Sequence, residues 1–152
     1  MILLNTFDPA TTAQLLSRLH ALSPTTKPLW GKMSADQMLA HLNVAYDFAY
    51  GKRTSRISFF EKLMLKLFVK KIVTGEKPYA KNSRTAPEFI ISNERDFENE
   101  KNKLINNIKE TEAKGAAYFD GRKNASFGVL TVREWSNLFY KHLNHHFTQF
   151  GI

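Results

Sequence analysis

The chain has 152 residues, 43% of them hydrophobic, no cysteine, and a formal charge of +8 at pH 7. That size and apolar fraction suit one domain spanning residues 1–152 with a real core, and the cysteine count excludes disulfides, thiolate metal sites and a cysteine nucleophile. The N-terminus lacks the basic flank and apolar run of a signal peptide, and no stretch approaches the roughly 18 apolar residues of a membrane span, so a soluble cytoplasmic protein is expected.

The spacing predicts five helices and no convincing strand. The first opens at Asp8-Pro9, a cap followed by proline at the first helical position, and runs through Leu15, Leu16, Leu19 and Leu22 until Ser23-Pro24 stops it. The second begins at Ser34-Ala-Asp-Gln37, a capping box, and continues through Met38, Leu42, Ala45 and Ala49 to Gly51. A third capping sequence, Ser58-Phe-Phe-Glu61, opens a helix with Phe60, Leu63, Met64, Leu67 and Phe68 on one side. Lys62, Lys66 and Lys70 recur every four residues on the other, so this is a basic amphipathic helix over about residues 58–73.

A connection from Gly75 to Pro87 leads to a fourth helix that starts near Ser92 or Asn93, carries Phe97, Leu104, Ile105 and Ile108, and ends before Gly115. Asp120-Gly121 and Phe127-Gly128 read as turns. The last helix opens at the box Thr131-Val-Arg-Glu134 and carries Trp135, Leu138, Phe139, His142, Leu143 and His146. The expected fold class is all-α, a four-helix bundle with the basic helix added to it.

Charge is concentrated. Residues 52–84 hold ten basic side chains against Glu61 and Glu76, and the rest of the chain is neutral. Such a segment either meets an anionic partner or keeps a helix face wet. No helix-turn-helix, RNA-recognition or phosphate-loop motif is present, so sequence-specific nucleic-acid recognition is not expected. The apolar side of the third helix would cover the bundle or form a contact in a homodimer.

Four of the five histidines fall at two places. His41 follows Met38 at i+3 and so turns with the apolar stripe of the second helix, while Trp135, Phe139, His142 and His146 follow the inward progression of the last. His142 and His146 lie about 6 Å apart along the axis, from a rise of 1.5 Å per residue, so both rings can reach one divalent ion. An imidazole from a facing helix would complete a three-histidine site with open positions, suited to zinc, nickel, iron or copper. The alternative is three core histidines held by hydrogen bonds. His145 stands about 100° round the helix from His146, on a rim, beside the ligand rings or in solvent. His20 has no evident partner.

These residues carry a likeness. Pro28-Leu-Trp-Gly-Lys-Met-Ser-Ala-Asp-Gln-Met-Leu-Ala-His41-Leu, Thr85-Ala-Pro-Glu-Phe89, Phe127-Gly-Val-Leu-Thr-Val-Arg-Glu-Trp135 and Tyr140-Lys-His-Leu-Asn-His-His-Phe-Thr-Gln-Phe-Gly151 resemble the DinB-like superfamily, in particular a short branch of unknown function. The resemblance implies a four-helix bundle in which His41, His142 and His146 bind a divalent metal. Some relatives are thiol S-transferases that use a low-molecular-weight thiol, and others are labelled metal-dependent hydrolases. One fold hosts many chemistries, so the reaction does not follow from the likeness.

An open three-histidine metal can activate a thiol for transfer or a water for hydrolysis of a small-molecule substrate. Without cysteine, a thiol nucleophile would have to come from a cofactor. Hydrolysis wants a general base, and no acidic residue is evidently placed beside the triad. Asp36, Gln37, Asp47 and Gln149, with His145, are the side chains near enough in sequence to orient ligand rings, although Asp36 equally suits the helix dipole and Gln37 the helix cap. The competing function is a non-enzymatic module in which Lys62, Lys66 and Lys70 dock on an anionic surface.

Overall fold

A computed structural model describes residues 2–54 and 58–152, and it is all-α apart from one very small antiparallel strand pair. Helix α1 (Pro9–His20) is capped by Asp8, whose carboxylate accepts the N–H of Ala10, with proline at its start as the sequence predicts. Helix α2 (Ala35–Ala49) carries the reciprocal Ser34/Gln37 capping box, and Gly51 just beyond it adopts the left-handed φ of +73°.

The basic helix is one helical run in three parts: α3 (Phe59–Met64), a π-helical turn (Leu65–Val69) and α4 (Lys70–Thr74). Helix α5 (Phe97–Phe119) starts later than its hydrophobic pattern predicts. Asp36 Oδ2 takes the N–H of Arg95, fixing the chain outside the helix, and Asp96 then caps Asn99 N. Gly115 interrupts the helix as expected, at φ +69°, but the chain re-enters helix for a further turn. That turn delivers Phe119 to the interior, where it meets Phe7, Trp135 and Phe139.

The strands β1 (Lys123–Asn124) and β2 (Gly128–Val129) were not predicted. They form because the side-chain oxygen Oδ1 of Asn124 accepts the N–H groups of Ser126 and Phe127, closing a turn that Gly128 completes at φ +75°. Helix α6 (Val132–Gln149) opens on the Thr131/Glu134 capping box.

The four long helices α1, α2, α5 and α6 pack on one another, and α4 packs against α6. Their shared core contains Leu15, Leu19, Met38, Leu42, Leu104, Ile108, Leu143 and Phe147, with Tyr46 stacked on Phe139 and Trp135 beside it. Between α2 and α5 runs a buried polar line. Asn43 donates to Glu100, Asn107 donates to Asn43, and the Tyr50 hydroxyl bonds that of Thr111. Such a line specifies how the helices pair, because slipping either one would leave buried amides unsatisfied.

The end of α4 is caught by α6. Asn137 donates to Thr74 O, and one turn later the ammonium of the buried Lys141 donates to Ile72 O at 2.6 Å and Gly75 O at 2.7 Å. Those carbonyls are the ones a helix C-terminus leaves unpaired, and a cation is the favoured group there. Burial draws the Lys141 pKa down to about 8, so the side chain stays a cation at neutral pH.

Candidate metal centre

His41 points from the middle of α2 toward α6, where His142 and His146 stand one turn apart. One ligand-capable nitrogen from each ring lies within 4.8 Å of the other two. The Nε2 atoms of His41 and His142 are 2.8 Å apart. His41 and His146 are buried and His142 is half-buried.

The hydrogen bonds around the rings decide which nitrogen carries the proton. His41 Nδ1 lies 2.9 Å from the carbonyl oxygen of Phe89, which can only accept, so Nδ1 holds the hydrogen and Nε2 of the neutral ring is a bare lone pair. Gln149 does the same for His146 through one more link. Its amide Nε2 donates to Trp30 O at 2.7 Å, which turns Oε1 toward His146 Nδ1 at 2.8 Å. His146 Nδ1 must then donate, and its Nε2 is bare as well. Nε2 of both rings is then free to accept, and that of His41 lies 2.8 Å from His142 Nε2, so either a His142 N–H or a cation can meet it.

Protonating the rings would remove the lone pairs, and the fold resists it. Burial first, and then the mutual proximity of the rings, holds His142 well below its usual pKa. The same causes lower His146 to about 3, despite the Gln149 hydrogen bond. Burial also lowers His41 and His145. No carboxylate belongs to the cluster among the described residues. Because the folded pKa values lie below the unfolded value of about 6.5, the unfolded chain binds protons first as pH falls. Without added metal, the urea midpoint is expected to hold level between about pH 7 and 7.5 and to fall between about 6.5 and 4.5, before the carboxylates titrate. A midpoint that is flat across that window would contradict the buried neutral histidines.

The outer residues divide differently from the sequence expectation. Gln149 lies against His146, its Oε1 2.8 Å from the ring's Nδ1. His145 packs its ring edge on His146 with centroids 5.0 Å apart and also meets Trp30 and Tyr79, so it sits on the rim. Gln37, by contrast, spends its side-chain oxygen on Ser34 N, within the cap of α2. Asp36 is taken by Ser34 and Arg95, and Asp47 by Lys103 and Arg53. None of these three supports a ligand ring. His20 is exposed.

Two contributors escaped the sequence reading, Phe89 and Tyr79. Phe89 ends a 3-10 turn (Pro87–Phe89), stacks on Phe48 and gives its carbonyl to His41. Tyr79 donates its hydroxyl to Val73 O and lays its ring near His142, His145 and the Lys141 ammonium. Both lie in the connection after α4. A carbonyl acceptor leaves no trace in residue type, and the Thr85-Ala-Pro-Glu-Phe89 stretch is the one available signal. Beside the triad, a cleft of about 140 Å³ is lined by Trp30, Tyr79, Lys81, Lys141 and His145 among others. A larger one of about 540 Å³, between Leu3–Asn5 and the start of α6, contains none of the triad.

Gly31 holds this arrangement open. It adopts φ +84°, and a β-carbon there would lie 2.6 Å from Gln149 Nε2. Gly31→Ala is therefore expected to displace Gln149 from His146 and weaken zinc binding by roughly 10–100-fold, the usual cost of losing a ligand's hydrogen-bond partner. Competition with a chelating dye would measure it, and an unchanged affinity would deny Gln149 its role.

The fold and site define an all-α bundle with three convergent imidazoles at its centre. The chain belongs to the family described as "Protein of unknown function (DUF1569)", whose model matches residues 7–151. No curated protein and no solved structure matches it.

Proposed function

We propose that the protein is a metal-dependent enzyme acting on a small molecule, with His41, His142 and His146 holding one divalent ion. The observation that carries this reading is the pair of Nδ1–H bonds, to Phe89 O and Gln149 Oε1, which leave Nε2 of His41 and of His146 without a hydrogen, in a cluster whose ligand-capable nitrogens lie within 4.8 Å of one another. Separations up to 4.8 Å suit a shared ion after small ring rotations, since two nitrogens at about 2.0–2.1 Å from zinc are at most about 4.2 Å apart. The likeness of the two histidine motifs to DinB-like bundles supports the same ligand set. Zinc, nickel and iron all accept three imidazoles, so the donor set does not select one of them.

When bound, such an ion activates a thiol or a water for attack on an electrophile. The chain's own residues set the rest. Phe89 and Gln149 orient the ligand rings, and Tyr79 lays its ring near His142 and His145. His145, half-buried at the rim and free of any carboxylate partner in the cluster, is the group placed to move a proton. The cleft beside it, edged by Trp30 and Lys81, is where a small substrate would rest.

Thiol S-transfer and hydrolysis are the two reaction classes this arrangement serves. They separate in one assay, in which zinc-, nickel- or iron-loaded protein is offered activated esters alone, or an electrophile with a low-molecular-weight thiol. Turnover in either arm that His142→Ala abolishes supports the proposal. A fully loaded protein inert in both arms, across broad ester and electrophile panels, would count against an enzyme of these two types.

A further inference from the structure

The basic helix presents its apolar side to solvent rather than to the bundle. Phe60, Leu63, Met64, Leu67, Phe68 and Ile72 are all exposed, Phe60 and Ile72 by 67% and 63%. Solvent-facing helices ordinarily reverse this pattern. Ile72 joins the stripe because of the π-helical turn at Leu65–Val69. The wider turn absorbs one residue; in an uninterrupted α-helix Ile72 would stand about 40° from Phe68 but about 80° from Met64 and about 140° from Leu67. The run Phe59–Thr74 is about 24 Å long at 1.5 Å per residue, a platform held to the bundle by its C-terminal end and Lys70.

The lysines border the stripe. Lys62, Lys66 and Lys71 are exposed. Lys70, expected to meet an anion with them, is instead turned to the body, where it pairs with Glu134 at 2.9 Å and donates to Val129 O. Together with the Lys141 and Asn137 clamp on α4, that bond fixes the platform's orientation on α6. Val129, itself exposed, extends the apolar surface across the hairpin. Residues 52–84 carry the whole net charge of the chain, with Arg56 among them lying outside the described residues.

From this we infer that the α3–α4 helix is a membrane-docking surface, which lies in the interface of an anionic lipid bilayer with its apolar stripe among the acyl chains and its lysines at the headgroups. Phe, Leu, Met and Ile side chains flanked by lysine match that environment, in which the charged ends reach up while the stems and rings stay apolar. Nucleic acid would use the cations and leave the aliphatic stripe in water. A second copy would cover the stripe, but a two-fold interface places two segments of charge +8 face to face. An anionic bilayer satisfies both halves of the helix at once. The inference stands apart from the metal reading, since it uses none of the same side chains. Among the described residues no helix is long and apolar enough to cross a membrane, so the attachment is peripheral.

Co-sedimentation of the full chain with vesicles tests it. Binding is expected to vesicles of phosphatidylcholine containing about one-third phosphatidylglycerol, to be absent with phosphatidylcholine alone, and to weaken steeply as salt is added. Lys62→Gln and Lys66→Gln should each reduce it about fivefold at low salt. Phe60→Ser with Leu67→Ser should abolish it while leaving the denaturation midpoint unchanged, because both side chains are exposed. The inference is overturned if the chain ignores anionic vesicles at low salt or if the serine variant binds as well as the parent. A concentration-dependent dimer dissociated by Leu67→Ser, with no vesicle binding, would assign the stripe to self-association and overturn it too.

Discussion

His142→Ala is expected to lower divalent-metal affinity by more than about 100-fold without unfolding the chain, so that protein dialysed against zinc retains almost none. Losing even an outer partner of a metal ligand costs roughly 10–100-fold, and this variant loses the ligand itself. The fold should survive because His142 is only half-buried and its ring bonds to that of His41 rather than to the backbone of another element, while alanine is the best helix former. His41→Ala and His146→Ala should give the same loss of metal with a larger loss of stability, since each removes a buried ring and leaves its partner, the half-buried Phe89 O or the buried Gln149 amide, without its bond. His20→Ala is the matching control and should keep the parent's occupancy. Elemental analysis after exhaustive dialysis, with circular dichroism on the same samples, checks all four. Equal metal in the parent and His142→Ala would remove the triad as the binding site.

Lys141→Met is expected to carry the largest cost in stability of any single change outside the core. The ammonium satisfies two carbonyls at the end of α4 from a buried position, and methionine fills its volume without donating to either. Hydrogen bonds from a charged donor contribute about 1.5–3 kcal/mol each, and the carbonyls would be left partly desolvated, so a loss of about 3 kcal/mol is expected. Urea denaturation at neutral pH measures it. The loss should reach the metal centre, because the connection that follows α4 carries Tyr79 and Phe89 to the histidines. A variant within about 0.5 kcal/mol of the parent would mean that the clamp is incidental.

Helical periodicity and capping chemistry carried most of this architecture. The boxes at Ser34, Ser58 and Thr131 start helices where the residue pattern places them. The inward progression from Trp135 to His146 puts both histidines on the face that meets His41. What residue pattern could not supply is decided by tertiary bonds. Arg95 is held out of α5 by Asp36 across the fold, and the turn after Gly115 forms because Phe119 has an aromatic pocket to fill. The basic helix shows the limit most clearly. Its amphipathic pattern is plain in the sequence, but pattern alone says only that two faces differ, and the usual expectation turns the apolar face inward. Here Asn137, Lys141 and Glu134 hold the helix by its end and its lysine side. Gln37 illustrates a related ambiguity, one turn before His41 in the chain yet committed to a helix cap. Gln149 and Phe89 reach the ligand rings through amide and carbonyl oxygens, groups that any sequence offers in abundance.

X-ray absorption at the zinc edge, on untagged protein loaded with one equivalent of zinc, tests the three-histidine centre most directly. The geometry predicts a first shell at about 2.0–2.1 Å with the outer-ring scattering of three imidazoles, one or more positions being left to solvent. A first shell without imidazole scattering, or zinc that washes out on desalting, would contradict it.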